Sequence, residues 1–372
     1  MIMKKYITYI CLLALTLTAC KNDDTDFSAY TDGTASTANI VYIAYNGTSV
    51  TVTGDTNGYV SYSGADVTVN TGTDTDSLLL VLSGSTSDGS LLIYREKKFG
   101  IRLNGVTINN TEGPAINNQC KKSVYVEVVS GTTNTLTDGT SYTEQDYDQK
   151  GAFFSEGQTY FYGSGTLNVT GSTKNAIACD DYIVIGDGVV INASSSTGHG
   201  IKVNDGFWME SGTLTVEVSG DGCKGIKNDS ITVISGGTMN ITTTGDCEYD
   251  SEAADYSSAA CIKSDYQFTM TGGTVTLTST GDGGKGINCD EDVVFSGGTL
   301  TVTTTGGNED AKPKGVKGDT GITVSGGSFT VNVKKSWACD NGTDSDTPAD
   351  HVTVVGTPTS STIEKKSVEI IF

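Results

Sequence analysis

Apolar residues alternate with polar ones by twos along most of this chain, and nowhere do they recur at a helical period. Ser230-Ile-Thr-Val-Ile234 and Thr274-Val-Thr-Leu-Thr278 are representative. Such alternation predicts short strands with one face buried. Three of these stretches follow one another in a unit that then repeats. The first is Ile-Lys-x-Asp, the second has the form of 230–234, and the third has the form of Thr238-Met-Asn-Ile-Thr242. A Gly-Gly pair separates the second from the third at 236–237, 272–273, 297–298 and 326–327, where glycine permits the positive φ that turns the chain onto a new face.

Aligning the first stretches gives one column through the sequence. Its copies end at Asp180, Asn204, Asp229, Asp265, Asp290, Asp319 and Asp340, with Ala115-Ile-Asn-Asn-Gln119 as an earlier relative. The base unit is about 24 residues, and the longer gaps are insertions. Three strands per period, a corner after each and no helical signal predict an all-β fold. It is a single right-handed parallel β-helix over residues 38–372, with irregular first turns and capped ends. Ile226, Ile231, Val233, Met239 and Ile241 are expected to face inward, and stacking of turns supplies the core that one turn cannot build. Trp337 is expected in the inward column of the last copy.

Composition sharpens this picture. Of 372 residues 47 are Gly and only 4 Pro, which fits a folded repeat rather than a disordered chain. The net charge of −21 sets nucleic acid aside as a partner, and anionic membrane as well. Two Arg (Arg95, Arg102) and two His (His199, His351) leave little material for histidine-based or arginine-clamp catalysis.

The first residues are a targeting segment. Lys4 and Lys5 precede an apolar run from Tyr6 to Leu17, and Leu17-Thr18-Ala19-Cys20 resembles a bacterial lipobox. Residues 1–19 are therefore read as a lipoprotein signal peptide, Cys20 as the lipidated residue, and 20–37 as a flexible tether. Lys21-Asn-Asp-Asp24 behind the cysteine resembles the surface-export signal of Bacteroidetes lipoproteins, which implies a lipid-anchored outer-membrane or cell-surface location.

Seven cysteines remain after Cys11 and Cys20, an odd number that excludes a complete internal disulfide framework. Cys179, Cys289 and Cys339 are expected at one buried repeat position, and Cys247 and Cys261 are placed to bridge an insertion.

Several phrases now add up. Ile101-Arg-Leu-Asn-Gly-Val-Thr-Ile108, Gly113-Pro-Ala-Ile-Asn117, Thr133-Asn-Thr-Leu-Thr-Asp-Gly139 and the later Gly-Ile-Lys and Ser-Gly-Gly-Thr repeats, in this order, resemble a family of bacterial β-helical, polysaccharide-lyase-like carbohydrate-binding proteins. The resemblance implies binding of cellulosic or acidic pectic polysaccharide, with calcium on the helix, rather than cleavage.

The repetition also builds columns of charge. Lys202, Lys227, Lys263 and Lys317 share an outward face with the Asp column, interrupted by Asn288. Like charges one turn apart, about 4.8 Å, repel unless lysines or cations compensate. One expectation is a self-balancing salt-bridge ladder. The other pairs strand carboxylates (Asp229, Asp265, Asp290) with loop carboxylates (Asp221, Asp246, Asp282) as calcium ligands, since calcium takes six to eight oxygens. The lysines would then meet uronate groups, and Trp208, flanked by inward Phe207 and Met209, would stack on a sugar ring. The expected partner is a polysaccharide bound by a monomer. Two alternatives stand beside it: a calcium-dependent lyase with Lys227 or Lys263 as base, and an adhesin or scaffold displaying a Thr-x-Thr face at 274–278 and 299–303.

Overall fold

The computed structural model describes residues 39–372 other than 75 and 253, and residues 39–372 form one compact unit. The signal peptide, Cys20 and the tether to residue 37 lie outside the described residues. Nearly every strand pairs in parallel with the strand one repeat away, giving a β-solenoid of about 11 turns.

One inward column shows how the core is assembled. Val67, Leu91, Ile116, Phe153, Ile177, Ile201, Ile226, Ile262, Ile287, Val316 and Cys339 stack register on register, one from each turn. Each is almost fully buried. Burial of one aliphatic side chain contributes about 2 kcal/mol, so each turn gains its stability from the neighbours that cover it. The corner glycines have the expected geometry, with φ of +79° at Gly237, +83° at Gly273, +86° at Gly298 and +72° at Gly327. Antiparallel pairings close both ends: Asn39–Asn46 with Val50–Thr53 at the start, and Ser367–Ile371 with Ser328–Val333 at the finish. The long gap between Asp229 and Asp265 is a projecting hairpin, Glu248–Asp250 paired with Asp255–Ser257.

Four expectations are corrected. Ile231 and Val233 face outward and are only partly buried, while Thr232 and Ile234 take the inward positions in register with Phe207 and Met209. The reason is polar. Thr232 Oγ1 lies 3.0 Å from Ser264 Oγ and accepts a hydrogen bond from Asn228 Nδ2 at 3.2 Å, so three fully buried polar side chains satisfy one another.

The last copy is shifted: Cys339 continues the isoleucine column, so Asp340 pairs with Lys317 in the lysine column and Cys339 does not join Cys179 and Cys289. Trp337 is partly buried rather than core, with its ring 4.2 Å from that of His351 and Lys365 Nζ 4.5 Å from its centroid. Cys247 and Cys261 are free thiols. Cys261 points into the core against Thr243 Oγ1 at 3.8 Å, whereas Cys247 sits beside Asn308.

Candidate functional site

The first strand of each turn places its second and fourth residues outward, and the ion pairs follow from that spacing. Lys227 grips Asp229 two residues on at 2.7 Å, and Lys202 reaches the same carboxylate from the preceding turn. Lys263 bridges Asp265 at 2.7 Å and Asp290 of the next turn at 2.6 Å, and Lys317 holds Asp319 at 2.7 Å. Four lysines thus meet four aspartates, and at the two ends of the column Lys150 pairs with Asp180 and Lys314 with Asp340, so its charges balance.

Burial pushes the Asp229 carboxyl up, but the ammonium groups of Lys202 and Lys227 outweigh it and hold the group below the usual carboxylate range. At Lys263 burial favours the neutral amine, yet the hydrogen bonds and charges of Asp265 and Asp290 prevail and the proton is held more tightly. That is the reverse of what a base requires. The amines that do release protons more readily are Lys224 and Lys285, each brought down to about 8, by burial first. Both are nearly buried, Lys224 with its Nζ 2.6 Å from Ser257 Oγ of the projecting hairpin.

The loop carboxylates form a separate row. Asp221 Oδ1 accepts the Asp246 N–H at 2.8 Å, Asp246 Oδ1 accepts the Asp282 N–H at 2.7 Å, and Asp282 Oδ1 accepts the Gly307 N–H at 2.5 Å. All three are exposed, and among the described residues none has a lysine or arginine partner. They stack turn on turn instead of meeting Asp229, Asp265 and Asp290. Among the described residues the carboxylates that converge in a group of three are those of Asp148, Glu156 and Asp180. There Lys150 already supplies a cation, 2.7 Å from Asp148 and 2.5 Å from Asp180.

Trp208 does project from the outer side of its strand, partly buried between Phe207 and Met209, which are wholly inside. It is not alone. Its ring stands edge to face against Tyr182, centroids 5.4 Å apart; Tyr182 meets Tyr160 at 5.7 Å, and Tyr160 stacks on Tyr125 at 5.0 Å and 23°. The Tyr160 and Tyr182 hydroxyls are hydrogen-bonded to each other. Four aromatic side chains from four successive turns therefore form one continuous row. Tyr125 is buried at its start, while Tyr160, Tyr182 and Trp208 remain partly exposed.

The outward Ile231 and Val233 extend this apolar strip by one further turn. Gly206 is what lets the indole lie flat, since a Cβ there would overlap the six-membered ring of Trp208. No single strand of the sequence marks the three tyrosines as neighbours. The signal was their parity: Tyr160, Val184 and Trp208 share one outward register.

The sequence pattern of the carbohydrate-binding domain-containing protein family matches residues 63–230 and 222–308. A carbohydrate-binding domain-containing protein of Acetivibrio thermocellus is 28% identical over 121 residues, which are 31% of this chain and 42% of that protein. The chain thus matches less than half the length of this relative. The polysaccharide lyase-like protein from C. thermocellum, solved as a gadolinium derivative, superposes with a TM-score of 0.57 at 22% identity, over 70% of this chain and 99% of that one. At that identity the likeness is one of fold.

Proposed function

Because this chain belongs to the carbohydrate-binding domain-containing protein family, we propose that it binds an extended polysaccharide along the aromatic row of its second face. The observation that carries this reading is the contact of Tyr125, Tyr160, Tyr182 and Trp208, ring to ring over four turns. Turns follow one another at about 4.8 Å, close to the length one pyranose adds to an extended chain. A glycan parallel to the solenoid axis then finds one apolar contact per sugar along Tyr160, Tyr182 and Trp208, with the buried Tyr125 backing the first of them. Aromatic faces cover the C–H faces of sugar rings, and the rigid rings lose little entropy on binding.

The ladder lysines are less suited to lead recognition. Lys202, Lys227, Lys263 and Lys317 are committed to aspartates, so a uronate would have to displace an existing partner. The cellulosic half of the expected substrate range is therefore favoured over the pectic half.

A role for calcium rests on the loop row. Asp221, Asp246 and Asp282 stack without a cationic partner, and their mutual repulsion is relieved by a hard divalent ion. These residues and the carbonyls of their loops would hold it, and its contribution would be to rigidify the turns that carry the binding face. The lipobox-like Leu17–Cys20 stretch supports a surface-tethered version of the same protein.

Intrinsic fluorescence provides the test. The chain has two tryptophans, and Trp337 lies in the last turn, its ring against His351 and Lys365 and away from the aromatic row. A β-1,4-linked glucan oligosaccharide should change the emission of wild-type protein and of Trp337→Phe, but not of Trp208→Phe. A response that survives in Trp208→Phe and vanishes in Trp337→Phe would place binding elsewhere.

A further inference from the structure

The third strands of the same turns carry a different surface. An open groove of about 480 Å³ runs along their outer side where each strand leaves for the next corner. Its floor is the register column Ser194, Glu217 and Thr242, and its rim is Ser196, Ser219 and Thr244, two residues further along each strand. Parity explains the composition. The residues between them, Ser195, Val218 and Thr243, are buried, so the outward positions at the ends of these strands open on the groove, which Thr170 and Ser172 extend by one turn.

Apart from Ser194, whose Oγ lies 3.3 Å from Thr170 Oγ1 of the preceding turn, these outward groups are not used to hold the fold together. Thr243 Oγ1, on the inner side, donates to the Ala259 carbonyl at 3.0 Å, and Ser195 Oγ donates to the Lys174 carbonyl at 3.0 Å. By contrast, among the described residues the Ser196, Ser219, Thr242 and Thr244 hydroxyls and the Glu217 carboxylate have no protein partner. Glu217 is exposed and carries no ion pair. Rows of free hydroxyls and a single carboxylate, about 4.8 Å apart from turn to turn, present donors and acceptors at the repeat of the solenoid.

We propose that this groove is a second glycan-binding subsite, specific for a neutral, hydroxyl-rich sugar chain. Glu217 is its orienting group. A carboxylate has two acceptor oxygens and no donor, so it accepts hydrogen bonds from two neighbouring hydroxyls of one sugar ring. Such charge-assisted bonds are about twice as strong as neutral ones. The same charge, on a protein of net −21, excludes uronates from the groove. The hydroxyl columns bond the adjoining sugars. The turns that supply Ser194, Glu217 and Thr242 also supply Tyr182, Trp208 and Val233, so the two subsites lie on adjacent faces of the same turns. One protein would thereby hold two strands of polysaccharide.

This inference rests on the carbohydrate-binding reading, and the test separates the two. Isothermal titration of the chain from residue 21 onward uses β-1,4-linked glucose and mannose tetrasaccharides, with the galacturonate tetrasaccharide as the acidic control. The expected result is two equivalents of neutral probe per chain, with Glu217→Gln losing one of them through an affinity drop of at least tenfold. Trp208→Ala loses the other, and the acidic probe leaves the Glu217 site empty.

A single equivalent in wild type, abolished by Trp208→Ala and untouched by Glu217→Gln, would overturn the second subsite and leave the aromatic row standing. No heat with any neutral probe would overturn both. Because Glu217 is exposed and unpaired, Glu217→Gln and the isosteric Thr242→Val should both fold. Thr242→Val is expected to weaken the same equivalent, and unchanged binding in both variants would also contradict the proposal.

Discussion

The indole of Trp208 stands at 76° to the ring of Tyr182, with centroids 5.4 Å apart, although the two belong to different turns and are 26 residues apart in sequence. This contact turns a set of separate outward residues into a strip, and its consequences can be measured.

Tyr182 separates ring from hydroxyl. Tyr182→Phe keeps the edge against Trp208 and loses the hydrogen bond to Tyr160, so glucan affinity should fall by no more than about threefold. Tyr182→Ala removes the ring and should cost at least tenfold, equivalent to about 1.4 kcal/mol. Titration calorimetry of both variants checks this. Equal losses would mean that the hydroxyl, not the stack, matters.

The Asp229 ion pairs predict a pH dependence. Its folded pKa lies below the unfolded value, so the stability it contributes is fully present above the unfolded value. That contribution is lost as pH falls through the folded one. Melting temperature should therefore decline from about pH 4 downward in wild type, and less steeply in Asp229→Asn. Superimposable acid limbs would show that the ladder adds nothing, as many exposed ion pairs do.

Lys285 predicts the opposite limb. Burial, then Lys317 and Lys314, bring its folded pKa to about 8 against an ordinary value of 10.5. The folded state thus loses its proton first, and wild-type stability gains as pH rises from about 8 toward 10.5. Lys285→Met should be more stable than wild type at pH 7, by a few degrees in melting temperature. That advantage should shrink by pH 10. A variant less stable than wild type at pH 7 would indicate that the amine is well paired.

The loop row distinguishes calcium from simple repulsion by sign. Asp246→Asn keeps the oxygen that accepts the Asp282 N–H and removes one charge. If calcium binds there, added calcium raises the melting temperature of wild type and chelator lowers it, while Asp246→Asn responds to neither. If repulsion alone operates, Asp246→Asn is simply the more stable protein and calcium changes nothing.

The architecture was legible because period-two alternation, the Gly-Gly corners and the Ile-Lys-x-Asp column all repeat with the same spacing. What alternation could not decide was which of two apolar-looking parities faces inward. At 231–234 the choice is made by Asn228 and Ser264, buried partners on the first-strand face that hold Thr232 inside. The shift of Asp340 was hidden by a unit of only 21 residues after Asp319, in which Trp337-Ala-Cys-Asp340 lacks the isoleucine and lysine that fix the alignment of the other copies.

Trp208 was legible from its own strand. Tyr160 and Tyr182 were not, because they become neighbours of Trp208 only once the turns are stacked. For the same reason the sequence offered the lysine and aspartate columns but not their pairing across turns, in which Lys202 reaches Asp229 and Lys263 reaches Asp290. Sequence alone presents the loop and strand carboxylates as one set of calcium ligands. The register instead keeps them in two rows, one balanced by lysine and one not.

The measurement that bears most directly on the account is the length dependence of glucan affinity. β-1,4-Linked glucose oligomers of two to seven units would be titrated into the Glu217→Gln protein, in which only the aromatic row is expected to remain. Affinity should climb with each added sugar up to about four units, the number of turns spanned by the partly exposed Tyr160, Tyr182, Trp208 and the adjoining Val233, and then level off. Affinity that is already maximal with the disaccharide, or that does not fall in the further variant Trp208→Ala, would contradict a glycan lying along the axis on this row.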